Sequence, residues 1–200
     1  MKYPLLLLNL LLLLAISGRS QDVPKEPTDI SPLLIGEKIP NLKLSNIDGN
    51  EIGLLELAGQ KHAILVFYRG GWCPYCNTQM AELQAIEPDL LREGYQIIAI
   101  SPDSPESLKA SVDKNKLNYT LLSDSKLEAA RAFGLAFAAP ERYADMLLKA
   151  SSNLNKGVLP VPAVFVLNKQ GEILFEYINP NYKKRLKGSF LLTAARELKE

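Results

Sequence analysis

Two cysteines and one histidine are all that this 200-residue sequence offers as soft metal ligands. A structural zinc site within one chain needs four ligands, so here it would have to draw on carboxylates, which is unusual. A framework of several disulfides, the common staple of small exported domains, is excluded by the same count. An excess of one charge is missing too. There are 23 basic and 22 acidic side chains, a formal net charge of +1. That balance argues against nucleic acid or an anionic membrane as a partner. Internal repeats are absent. The one long apolar run, residues 4–16, falls short of the ~20 residues that span a bilayer.

What is present suits one globular domain with a short extension. Hydrophobic residues make up 47% and charged residues 22%, enough apolar material for one sizeable core. The first twenty residues read as a secretory signal peptide: Lys2, a Leu-rich run, then Ser17-Gly18-Arg19-Ser20. An uncleaved N-terminal anchor is the alternative. With residues 1–20 removed, Lys2 and Arg19 go and 21 basic side chains face 22 acidic ones. The expected location is periplasmic or extracellular, with no stable membrane span after cleavage. Residues 21–32, rich in Pro, Asp, Glu and Lys, read as a linker. Residues 33–200 are the expected domain.

The domain alternates strand and helix signals. Residues 41–45 alternate apolar and polar before an Asp48-Gly49 turn. Residues 63–67 are continuously apolar, the pattern of a strand buried on both faces. Residues 73–92 have helical spacing, with Met80, Leu83, Ile86, Leu90 and Leu91 able to share a face and Pro88 able to kink it. Strands follow over 96–100 and 119–122 and helices over 104–115 and 125–133. Residues 135–157 are less regular, partly helical around 143–150. Residues 163–167 and 173–177 form a hairpin, and 186–198 a closing helix. The expected class is α/β, a mixed central sheet with helices on both faces.

The chemistry concentrates at Cys73-Pro74-Tyr75-Cys76. Thiol–disulfide exchange needs one thiol that ionises easily and a second that resolves the mixed disulfide. At a helix start the first cysteine meets the unpaired N–H groups and the macrodipole, which favour a thiolate. The second lies one turn on, within reach, and Pro74 suits the first helical position. A disulfide across so short a loop removes little chain entropy, which argues against a purely structural staple. A structural pair or half of an intermolecular metal site is the bland alternative.

Arg69-Gly70-Gly71-Trp72 followed by that motif resembles the thioredoxin superfamily, and the tetrad itself matches one common in glutaredoxins. Val66-Phe67-Tyr68, Ala99-Ile100-Ser101-Pro102-Asp103-Ser104, Leu121-Leu122-Ser123-Asp124 and Ala163-Val164-Phe165-Val166-Leu167 resemble peroxiredoxins of the alkyl hydroperoxide reductase and thiol-specific antioxidant group, over roughly residues 33–180. The nearest likeness is to the peroxiredoxin-like subgroup that carries a C-x-x-C. The resemblance implies a thioredoxin-like fold and antioxidant chemistry on peroxides or disulfides. It also implies an external thiol reductant such as a thioredoxin-like protein, and no cofactor or metal.

The same resemblance sets up a conflict over roles. It places the peroxidatic cysteine at Cys76, the peroxide-orienting threonine at Cys73 and the active-site arginine near Pro162. Comparison with thioredoxins instead makes Cys73 the attacking thiol and Val161–Pro162 a cis bond facing the dithiol. Either order ends in a redox disulfide, Cys73–Cys76. Arg69 could lower a thiolate pKa or be a solvated loop residue. Trp72 could shield the dithiol or simply pack. Asp103 is expected to cap the next helix, and His62 has no assigned role. Leu135–Gly157 is either a substrate-facing insertion or core packing, and Lys183-Lys184-Arg185 a solvated helix start. Three functions stay open: a peroxidase, a thiol–disulfide oxidoreductase for exported proteins, and a redox-sensing module without turnover.

Overall fold

A computed structural model describes residues 23–199. The leader expected over 1–20 lies outside the described residues. No helix among the described residues is long and apolar enough to cross a membrane.

The strands are β1 (Lys43–Asn46), β2 (Glu51–Gly53), β3 (His62–Phe67), β4 (Tyr95–Ser101), β5 (Thr120–Ser123), β6 (Ala136–Ala138), β7 (Val158–Pro160), β8 (Ala163–Leu167) and β9 (Ile173–Ile178). The helices are α1 (Leu54–Gly59), α2 (Pro74–Arg92), α3 (Pro105–Asn115), α4 (Glu128–Ala132), α5 (Ala144–Ala150) and α6 (Gly188–Glu197). Seven strands form one sheet in the order β2-β1-β5-β4-β3-β8-β9. β3, β4 and β5 run parallel, joined by α2 and α3, while β8 pairs antiparallel to β3 and β9 to β8. The expected mixed sheet is therefore present.

Side chains alternate across β3 because successive Cβ atoms point to opposite faces. Ile64, Val66 and Tyr68 meet Cys76, Met80, Leu83 and Leu90 of α2 on one face. Ala63, Leu65 and Phe67 meet Leu54 and Ala58 of α1 and Ala129 of α4 on the other. Helices thus cover both faces, which is why the strand reads as an unbroken apolar run. Leu91, expected on the buried stripe of α2, is 46% exposed. The stripe instead runs through Cys76, Met80, Leu83 and Leu90, placing Cys76 in line with the core.

The irregular stretch holds an element that its sequence does not announce. β6 and β7 form a separate two-stranded sheet, with Phe137 opposite Leu159. Strands of three residues leave too little alternation to read. Phe137, Leu147, Leu159 and Val161 pack together there, against Trp72 and Tyr143. The described part of residues 21–32 lies along the domain: the Ala138 amide donates to Pro24 O at 2.8 Å and Ile30 packs on two clusters.

Candidate active site

Cys73 is the N-cap of α2, extended at φ −89° and ψ 117°, with Pro74 opening the helix. The Cys76 and Asn77 amides donate to Cys73 O at 3.0 Å. Both cysteines are free thiols and both are buried, 1% and 0% exposed. A hydrogen bond from the Cys76 thiol, opposed by burial and aided by the Cys76 amide, Arg69 and Arg185, brings the Cys73 pKa down to about 6. Burial pushes the Cys76 thiol up, and its hydrogen bond to Cys73 keeps the proton there. Both directions favour the thiolate on Cys73 and the proton on Cys76, as the helix start also does.

Two arginines supply positive charge to the pair. Arg69 follows β3 and is only 3% exposed. Its guanidinium carbon lies 5.0, 4.8 and 4.2 Å from the ring centres of Trp72, Tyr143 and Tyr182. It is thus buried in an aromatic cage and not a solvated loop residue. Arg185 overturns the reading of 183–185 as a solvated helix start. Lys183 and Lys184 are exposed, but Arg185 is half-buried and its Nη2 donates to Cys76 Sγ at 3.4 Å, while α6 begins only at Gly188. The contact spans 109 residues of chain, and a Lys-Lys-Arg run carries no mark of it.

Asp103 is the second correction. Ser104 caps α3, its Oγ accepting from the Ser107 amide at 3.4 Å. The Asp103 side chain turns to the redox loop, where Oδ2 accepts from the Gly71 amide at 2.7 Å. Its other oxygen has no partner among the described residues, and burial lifts its pKa to about 6. Gly70 lets these groups come close. Its φ is +135°, and a Cβ there would lie 2.6 Å from Asp103 Oδ1 and closer still to Trp72 Nε1. Trp72 Nε1 and Tyr68 Oη are also buried and unpartnered among the described residues.

Pro162 reaches the site without the expected cis bond. The described residues contain no cis peptide. The chain stays trans and extended, with the Val161 amide donating to Leu135 O at 2.8 Å and Pro162 O accepting from the Asn179 amide at 3.2 Å. Pro162, Arg69, Phe137, Tyr143 and Tyr182 line one cavity of about 480 Å³. The stretch 135–157 packs on the core through the buried Phe137 and Leu147, and Phe137 and Tyr143 also form wall of this cavity. His62 stands at the far end of β3, its ring 5.3 Å from that of Tyr95. Trp72 sits at the loop, 5.6 Å from the ring of Tyr143.

The sequence matches the AhpC/TSA family over residues 35–175. It is 32% identical to peroxiredoxin Bcp of Escherichia coli over 106 residues, covering 53% of this chain and 67% of that protein. A putative peroxiredoxin of Mycobacterium tuberculosis is 29% identical over 152 residues, 76% of this chain and 89% of that one. The solved structure of reduced Prx3 of Vibrio vulnificus in complex with hydrogen peroxide superposes with a TM-score of 0.70 at 17% identity, over 82% of this chain and 99% of that one. Peroxiredoxin Q of Xanthomonas campestris does so with a TM-score of 0.64 at 20% identity, over 80% and 92%. The structural likenesses speak for the fold, the thioredoxin-like fold of peroxiredoxins. Tyr182 and Arg185 lie beyond the span of the family match.

Proposed function

Because the chain belongs to the AhpC/TSA family, we propose that it reduces peroxides through the Cys73–Cys76 dithiol, with Cys73 as the attacking thiolate. It is a thiol-dependent oxidoreductase. The observation that supports this assignment of roles is the place of Cys73 at the N-cap of α2, with Cys76 one turn on and fully buried. Cys73 at the helix start is held near pKa 6, and Cys76 is kept protonated by burial.

The Cys73 thiolate attacks a peroxide oxygen and the O–O bond breaks. The departing oxygen takes a proton and leaves as alcohol or water, and Cys73 becomes a sulfenic acid. Cys76 then gives up its proton, attacks Cys73 Sγ and expels the hydroxyl group as water, leaving the Cys73–Cys76 disulfide. Two electrons have passed to the peroxide. An external thiol reductant, such as a thioredoxin-like protein, returns them. Arg69 and Arg185 supply positive charge where Pro162 stands in place of the arginine that the family resemblance implies. Export by the leader over 1–20 would put this chemistry in the periplasm or outside the cell, a reading supported by the layout of the sequence alone.

A second reading reverses the two sulfurs. It is favoured by Arg185, which donates to Cys76 Sγ at 3.4 Å. Peroxide consumption with dithiothreitol as reductant separates them. Expected is loss of consumption in Cys73→Ser with or without the reductant, and in Cys76→Ser, with the reductant left out, a single stoichiometric burst leaving a dimedone-reactive sulfenic acid on Cys73. A burst retained in Cys73→Ser and lost in Cys76→Ser would reverse the roles. Insulin reduction without peroxide consumption would point to a disulfide reductase.

A further inference from the structure

Arg69 is a buried cation with no carboxylate beside it. None of the ion pairs among the described residues includes it, and its Nε has no hydrogen-bond partner among them. The faces of Trp72, Tyr143 and Tyr182 offset part of the cost of taking the charge out of water. They bring no negative charge, and a buried ion is settled only when it is paired and its remaining donors are used. Arg69 is also the deepest charged group on the wall of the 480 Å³ cavity.

The other charges on that wall are mostly positive. Lys25 and Arg142 are cations, and Glu26 is the one acid that lines it. Arg69 and Arg142 converge on one phenol. Each guanidinium carbon lies 4.8 Å from the ring centre of Tyr143, and hydrogen bonds from Arg69 and then Arg142 hold that phenol below its usual pKa. The rest of the wall is apolar, with Phe137, Pro140, Pro162 and Pro180 prominent. A small inorganic anion would leave that apolar wall uncovered, and a neutral apolar molecule would leave Arg69 unpaired. A cavity of a few hundred Å³ with an apolar lining and a few placed polar groups suits a small organic molecule.

We propose that this cavity binds a small organic carboxylate with an apolar body, its carboxylate held by Arg69 and Arg142. Through Arg69 the cavity neighbours the redox loop, because the guanidinium lies 5.0 Å from the ring centre of Trp72, the residue before Cys73. The identity of the carboxylate rests on the peroxidase reading and has two sources. One is the oxidant, a hydroperoxide of an organic acid, which follows the steps given above. The other is the reductant, a thiol that carries a carboxylate. Its thiolate attacks Cys73 Sγ of the disulfide, and Cys76 leaves and takes up a proton. A second thiol then attacks the bound sulfur and frees Cys73. Two thiols give up two electrons and leave as their own disulfide.

Trp72 is the single tryptophan of the sequence and lies against Arg69, so its fluorescence reports on the surroundings of that guanidinium. The experiment titrates the reduced protein with decanoate and, separately, with decan-1-ol. Expected is a saturable change with decanoate and binding at least about tenfold weaker for the alcohol, for Arg69→Met and for Arg142→Ala. Equal binding of the alcohol, or full decanoate affinity in both variants, would overturn the proposal. Arg142 is exposed, so Arg142→Ala decides the matter if Arg69→Met does not fold. The source is read from turnover. The KM should rise about tenfold on methyl esterification either of a fatty-acid hydroperoxide or of 3-mercaptopropionate. A rise in neither would overturn the assignment to substrate. Decanoate binding without peroxide turnover would sink the peroxidase reading and leave the cavity's assignment standing, and turnover without decanoate binding would do the reverse.

Discussion

The middle of β3 and the loop that follows it are buried alike and differ in chemistry. From Ala63 to Phe67 every side chain is apolar, at most 1% exposed, and committed to one sheet face or the other. Burial continues through Tyr68, Arg69, Gly70 and Cys73, but the side chains become polar and several end without a partner. Five of the nine buried, unpartnered side-chain atoms among the described residues belong to Tyr68, Arg69, Trp72, Asp103 and Arg185, around the dithiol. Buried polar atoms are normally satisfied, so their gathering at one end of a strand marks a site and not a core. One strand thus carries the fold in its body and the proposed chemistry past its tip.

The sharpest way to break that contrast is to damage the strand. Leu65 is fully buried in mid-strand, so Leu65→Ala should cost about 3 kcal/mol of stability. The specific activity of the folded fraction should stay unchanged. Denaturant unfolding beside the peroxide assay checks it, and activity lost ahead of stability would show that body and tip are not separable.

Asp103 tests the loop from the opposite side. Burial raises its folded pKa from 3.8 to about 6. Such a shift penalises the folded state only where the carboxyl must ionise. The penalty is absent below about pH 4, grows as the pH rises through the window and is complete above about pH 6. Asp103→Asn should therefore match the parent at pH 4 and exceed its stability at pH 8 by up to about 3 kcal/mol. Thermal unfolding across that range checks it, and a variant that is less stable at pH 8 would mean that the carboxylate is compensated.

Arg185 has the smallest expected effect, because the Cys76 hydrogen bonds and Arg69 act more strongly on Cys73 than it does. Its charge lowers the pKa of both thiols. Arg185→Met should move the pH–rate inflection upward by about one unit and slow the reaction with peroxide about fivefold at pH 6. Stopped-flow rates against pH check it, and an unmoved inflection would reduce Arg185 to packing.

Most of the frame was legible from residues that obey a single period. The apolar run over 63–67, the helical spacing after Cys73 and the hairpin around Gly171 each read correctly because sheet and helix burial repeat along the chain. The cysteine pair was legible because helix-terminus physics is local. Arg185 was not, because its partner lies 109 residues away and its neighbours are solvated. Asp103 was misread as a cap because Ser104 beside it is the better N-cap, which frees the carboxylate for Gly71. The trans Val161–Pro162 bond was missed because its register depends on Leu135 and Asn179, contacts that no local motif displays.

The central claim is that the negative charge rests on Cys73 and the proton on Cys76. Iodoacetamide labelling of the reduced protein from pH 4 to 9, read by peptide mass mapping, tests it most directly. The expected result is labelling of Cys73 first, lost as the pH falls through about 6, with Cys76 spared over the same range. Labelling of Cys76 first, or a Cys73 midpoint at the ordinary thiol value of about 8.5, would contradict it.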